Sequence, residues 1–117
     1  MNPILIAMSE KIQNQENTDK KIKMNGIVIT ELDFGRVKYM LVRVFIPKND
    51  SHYIVIADYN DNGNNTLIVK ACGLYPEDAL SMAVKKADSA GNSEEIEKLY
   101  MLLGKFEIDR WNGNIQL

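Results

Sequence analysis

Few stretches of this sequence place reactive side chains at a spacing that could do chemistry. The most specific is Asp58-Tyr59-Asn60-Asp61-Asn62-Gly63. It matches the first half of a calcium loop, with oxygen donors at alternate positions and glycine where the loop must turn sharply. The twelfth position, where a bidentate glutamate closes the cage, is Val69. The flanks read as strands, so an asparagine-rich hairpin loop is the better reading. His52 is the only histidine and follows Asp50 and Ser51. Three neighbours along a chain cannot form a triad, whose members converge from separate places. His52 and Cys72 make a thiol–imidazole pair only if two strands bring them into register. A lone cysteine in an apolar strand otherwise reads as buried and inert. Glu94, Glu95 and Glu97 fall at the start of a helix, where carboxylates complement the dipole. Asp33-Phe34-Gly35 spells a kinase signature, but the glycine-rich and catalytic loops are missing. There is no P-loop, no G-x-G-x-x-G, no H-E-x-x-H and no cysteine pair for zinc. The expectation is a non-enzymatic protein without cofactor, metal site or catalytic residues.

The elements that position these residues are an α+β set. Asn2 and Pro3 read as the cap and first turn of a helix, with Leu5, Met8 and Ile12 at helical spacing. Gln13 to Lys21 is almost wholly polar and reads as a linker. Strands are expected over Ile27–Phe34, Val37–Ile46, Tyr53–Tyr59 and Thr66–Cys72. Asp33-Phe34-Gly35-Arg36 and Asn62-Gly63 read as tight turns between them. Pro47 to Ser51 breaks the second strand. Short loops between consecutive strands argue for an antiparallel meander. Pro76 opens a helix with Ala79, Leu80, Ala83, Val84 and Ala87 on one face, ended by Gly91. Asn92 with Glu95 resembles a capping box. Ile96, Leu99, Tyr100 and Leu103 follow, with Gly104 as the stop. Phe106–Trp111 alternates and reads as a fifth strand. The expected fold is a four- or five-stranded, mainly antiparallel sheet with two helices on one face and an N-terminal helical arm. Residues 1–23 are assigned to the arm and linker, and 24–117 to one α+β domain.

The second and third strands are apolar on both sides. Met40, Val42, Val44, Ile46, Ile54 and Ile56 occupy one side, and this Ile/Val side is expected to meet the helix after Pro76. The other side carries Tyr39, Arg43, Phe45, Tyr53 and Tyr59. Aromatics with arginine are the composition of interface hot spots. They also suit the stacking of unpaired bases. The bland alternative is a second core layer beneath a helix.

Charge narrows the choice. Fourteen basic against sixteen acidic residues give −2 over 117 residues. Residues 1–57 carry eight basic and six acidic side chains, and 58–117 carry six and ten, so the back half is the acidic one. A nucleic-acid-binding domain usually shows a basic patch and a pI above about 9; here it is near 5.4. No apolar run approaches the ~18 residues of a membrane span. A single cysteine permits no internal disulfide, which fits a reducing compartment. The N-terminus lacks the basic region of a signal peptide, so a cytoplasmic location is expected. The Ile, Asn and Lys bias points to an AT-rich bacterial or phage source.

The run from Tyr53-Ile54-Val55-Ile56 through Asp61-Asn62-Gly63 to Glu77-Asp78-Ala79-Leu80 resembles HicB-type antitoxins. Their strand, acidic-glycine turn, strand and E-E-A-L helix follow the same order. The family's proline-glycine segment before that helix is absent; Gly73-Leu74-Tyr75-Pro76 stands there. The helix–strands–helix order is also similar to double-stranded RNA-binding domains, whose basic K-K-x-x-A-K helix start is replaced here by Pro76-Glu77-Asp78. Neither family is assigned.

The leading expectation is a small protein-binding module: an inhibitor, antitoxin or accessory regulator of bacterial or phage type. It would mask a partner's working surface, such as that of a nucleic-acid-processing enzyme. Binding would use the face of Tyr39, Arg43, Phe45, Tyr53 and Tyr59, or the acidic helix of Glu94, Glu95 and Glu97. The alternatives are a single-stranded nucleic-acid binder using the same aromatic face, a small enzyme with an unrecognised site, and a homodimer that buries that face. Replacing Tyr39 and Tyr53 by alanine separates an interface from a core: only the second loses its fold.

Overall fold

A computed structural model of the chain describes residues 3–9, 21–45 and 51–115. Two tight turns dictate the meander. At the first, Gly35 adopts φ 94° and its N–H donates to the Asp33 carboxylate at 2.8 Å. At the second, Asn62 and Gly63 both take positive φ, 52° and 88°. That pair is the signature of a type I′ hairpin turn, whose twist matches its strands. Five strands result: β1 (Pro3–Ser9), β2 (Lys21–Asp33), β3 (Val37–Phe45), β4 (Ser51–Asp61) and β5 (Asn64–Gly73). They form one sheet in chain order, antiparallel throughout. Two helices follow, α1 (Pro76–Ser89) and α2 (Ser93–Trp111). The α+β architecture is the one expected.

Three local expectations are corrected. Pro3–Ser9 is a strand paired with β2, not a helix. A helix this short is marginal alone, whereas Ile4-Leu5-Ile6 suits a strand, and Pro3 stands at the first position of an edge strand, where a missing N–H costs no ladder bond. The rest of the expected arm and most of the polar linker, residues 10–20, lie outside the described residues, as does the break at 47–50. β2 begins at Lys21. Finally, Gly104 does not stop α2, and Phe106–Trp111 is not a strand: the helix continues to Trp111. Leu99, Leu102 and Phe106 are fully buried on one helical stripe, and burial of Phe106 carries the helix across the glycine.

The helices pack on the side of the sheet opposite to the one expected. The main core joins Tyr39, Leu41, Tyr53, Val55, Ala57 and Ala71 of the sheet to Ala79, Leu80, Ala83, Ala87, Leu99, Leu102 and Phe106 of the helices. The physical reason is space. The alanine stripe of α1 lies over β4 and β5, where Ala57, Ala71 and Gly73 leave room for a close approach. A Cβ on Gly73 would sit 2.8 Å from the Ala79 backbone nitrogen, closer than packed atoms allow. The Ile/Val side forms its own buried cluster of Met40, Val42, Val44, Ile54 and Ile56. Burial on both faces explains why β3 and β4 lack the apolar–polar alternation of a half-exposed sheet.

Candidate functional site

The sheet register gathers the five expected face residues: Arg43 stands opposite Tyr53, and Val37 opposite Tyr59. It does not leave them open. Tyr39 is 2% exposed and Tyr53 7%, because α1 and α2 cover that face. Tyr39 packs edge-on against Phe34, centroids 6.0 Å apart. The Arg43 guanidinium lies over the Phe45 ring at 5.1 Å. Only Phe45 of the five is exposed. The aromatic platform expected for a partner or for bases is therefore core at Tyr39 and Tyr53.

The acidic helix start divides. Asn92 caps α2, its side chain accepting the Glu95 N–H at 3.1 Å. Glu94 points outward and pairs with Lys98 at 3.0 Å, and Glu97 is exposed. Glu95 turns inward. It accepts the Tyr39 hydroxyl at 3.2 Å and pairs with Lys70 at 3.2 Å, while Lys70 also lies 5.4 Å over the Tyr59 ring. This cluster bolts α2 to the sheet. Burial, then the Glu95 charge and Tyr59, push the Tyr39 hydroxyl well above its ordinary 10.0. For Lys70, burial acts to lower the pKa, but Tyr59 and Glu95 outweigh it and raise it above 10.5. Both groups hold their protons to higher pH when folded than when unfolded. Their contribution is thus complete below about pH 10 and is lost as pH rises through the folded-state values. The urea midpoint is expected to fall between about pH 10 and about pH 12, and Tyr39→Phe to blunt that fall. A midpoint flat across that range contradicts the cluster.

The remaining chemical candidates do not assemble. Asp58 and Asp61 are three residues apart on β4 and so project to opposite faces. Asn60 spends its side-chain oxygen on the Gly63 N–H at 3.2 Å, closing a turn rather than a cage. Among the described residues, no group of three or more His, Cys, Asp or Glu side chains is placed to hold a metal. Cys72 pairs with Ile54, which puts it diagonal to His52 on one sheet face. No hydrogen bond joins them among the described residues, and Cys72 is exposed, not buried as expected.

Apart from Glu97, sequence reasoning missed the outward face of α2, and it placed the exposed Tyr100 on the apolar stripe. Glu97, Tyr100, Met101, Gly104, Ile108 and Trp111 recur at helical spacing along it. Tyr100, Met101 and Ile108 are more than half exposed, and Trp111 is 90% exposed. Tryptophan is highly buried on average, so its position here is informative. Gly104 sits at the centre of the stripe, and a Cβ there would meet nothing within 4 Å. Glycine inside a helix costs about 1 kcal/mol relative to alanine, and no contact among the described residues calls for it. With Glu107, Ile108, Trp111 and Asn112 it forms a shallow depression of ≈ 470 Å³. Exposed Glu97 and Glu107 border the stripe and have no ion pair among the described residues. The available signal was the 3.6-residue spacing of Leu99, Leu102 and Phe106, which continues past Gly104 and puts Ile108 and Trp111 on the opposite side.

No family model, curated protein or solved structure matches the chain. The resemblances to antitoxins and RNA-binding domains therefore carry no family assignment. Among the described residues, no helix is long and apolar enough to cross a membrane.

Proposed function

We propose that this is a small cytoplasmic protein-binding module of the inhibitor or accessory-regulator kind, and that it engages its partner with the outward face of α2. The observation that carries the reading is the exposed Tyr100–Met101–Gly104–Ile108–Trp111 stripe on a helix whose other face is fully engaged in the core. Aromatic and methionine side chains are enriched at interface centres, with charges at the rim. Glycine at the centre lets a partner's backbone approach closely. The complementary surface is an apolar groove edged by lysine and arginine, since Glu94, Glu97 and Glu107 supply the rim here. Binding by an apolar helix face in a groove is a recurring mode of protein recognition. Occlusion of a basic working surface, such as a nucleic-acid channel, follows from the same charges.

The test uses the full chain as bait in lysate of the source cells, half of it nuclease-treated. A stoichiometric protein that survives nuclease and is lost with an α2-face variant supports the reading; capture that disappears with nuclease overturns it. Gly104→Ala adds a sharper arm. It is expected to raise stability by about 0.5–1 kcal/mol through helix propensity. It should also weaken capture roughly ten-fold through overpacking at the contact. Greater stability with unchanged affinity contradicts the close approach.

A further inference from the structure

The structure assigns a second interaction surface: we infer that the free edge of β5 pairs antiparallel with β5 of a second copy of this chain. β5 is the last strand of the sheet, and no described strand meets its outer side. An edge strand presents a row of unpaired N–H and C=O groups, which proteins normally blunt with proline, charge, a bulge or a covering element. From Asn64 to Val69 none of these is present among the described residues. The register shift lies beyond, between Val69 and Ala71, where Lys70 is the extra residue. The other edge, β1, carries Pro3.

Leu67, Ile68 and Val69 are consecutive, and each is about two-fifths exposed. Ile68 stands opposite Ala57 on the helix side, while Val69 stands opposite Ile56 on the other. An added strand would therefore cover apolar groups on both faces at once.

The chemistry of the edge favours a copy of itself. A two-fold contact needs a patch complementary to itself. Asn62 to Val69 holds no charge, so two copies meet without like-charge contact. Centring the pairing on Ile68 sets Leu67 of each chain opposite Val69 of the other, and Thr66 opposite Lys70. The two-fold consumes both β5 edges and closes at two chains. α2 packs mainly over β2 and β3 and meets β5 on the inner side, through the Glu95–Lys70 pair, so its outward face stays open. The pairing stands independently of the partner reading and would make the module bivalent.

The test is sedimentation velocity of the full chain over a concentration series. The expected species is a dimer of twice the 13.3 kDa chain mass, dissociating on dilution. Ile68→Lys sets like charges face to face on the axis and is expected to give a folded monomer. The exposed Thr66 supplies arms that leave the apolar residues intact. Thr66→Glu, opposite Lys70, should tighten the dimer and Thr66→Lys should loosen it, each by only about two-fold because Glu95 already holds Lys70. A monomer at every concentration overturns the inference. So does a dimer that survives Ile68→Lys and both Thr66 variants but dissociates on Trp111→Ala, which would place the contact on α2. Open-ended assembly overturns it as well, because the two-fold pairing closes.

Discussion

The Tyr39→Ala, Tyr53→Ala double variant is expected to be unfolded at room temperature. Each ring is almost wholly buried, at 2% and 7% exposure, in the core shared by the sheet and both helices. Truncating a buried aromatic to alanine costs about 3–5 kcal/mol through lost transfer energy and the cavity left behind. Tyr39→Ala also strips Glu95 of a hydrogen bond, leaving Lys70 as its remaining partner in the cluster. Two such losses together approach the whole stability of a typical domain, about 5–15 kcal/mol. The two sites are four register steps apart on paired strands, roughly 13 Å at ~3.3 Å per residue, so the effects should be close to additive. Circular dichroism with urea titration reads the outcome. Tyr39→Phe, which keeps the ring, should cost only about 1 kcal/mol. A double variant that stays folded with a native urea midpoint contradicts the packing described for this face.

Trp111→Ala should do the reverse. The side chain is 90% exposed, so its removal should change stability by less than about 0.5 kcal/mol. Its effect should fall on the partner. A tryptophan that anchors an interface commonly contributes about 2 kcal/mol or more, a loss of roughly thirty-fold in affinity. The chain has one tryptophan, so its fluorescence reports the site without a label. Emission of the free protein should be that of a water-exposed indole and should move to shorter wavelength when the partner covers it. An unshifted emission in a saturated complex would place the interface elsewhere. Tyr39 and Trp111 thus sit at opposite ends of one scale, the first tied to stability and the second to binding.

The sequence alone was sufficient for the secondary elements whose signals are local. Asn62-Gly63 demands a hairpin because only a tight turn with positive φ joins two strands there. The start of α1 at Pro76 and the cap of α2 at Asn92 are written in residue types that satisfy orphan helix N–H groups or lack one to satisfy. The order of those elements, a run of strands followed by two helices, sufficed for the α+β class. Local signals failed where tertiary burial outweighed them. Gly104 reads as a stop, yet Phe106 gains more from the core than the helix loses at the glycine. Asn2-Pro3 reads as a helix start, yet Pro3–Ser9 gains a ladder partner in β2.

The candidate site depended on a quantity the sequence does not hold, namely which side of an all-apolar sheet the helices choose. Periodicity separates the two sides of β3 and β4 but cannot rank them. The ranking comes from Ala57, Ala71 and Gly73, small residues on two strands that line up only in the folded register and admit the alanine face of α1. That choice buried Tyr39 and Tyr53 and drew Glu95 inward to Lys70. By holding Leu99, Leu102 and Phe106 against the sheet, it also turned Tyr100, Gly104 and Trp111 toward solvent.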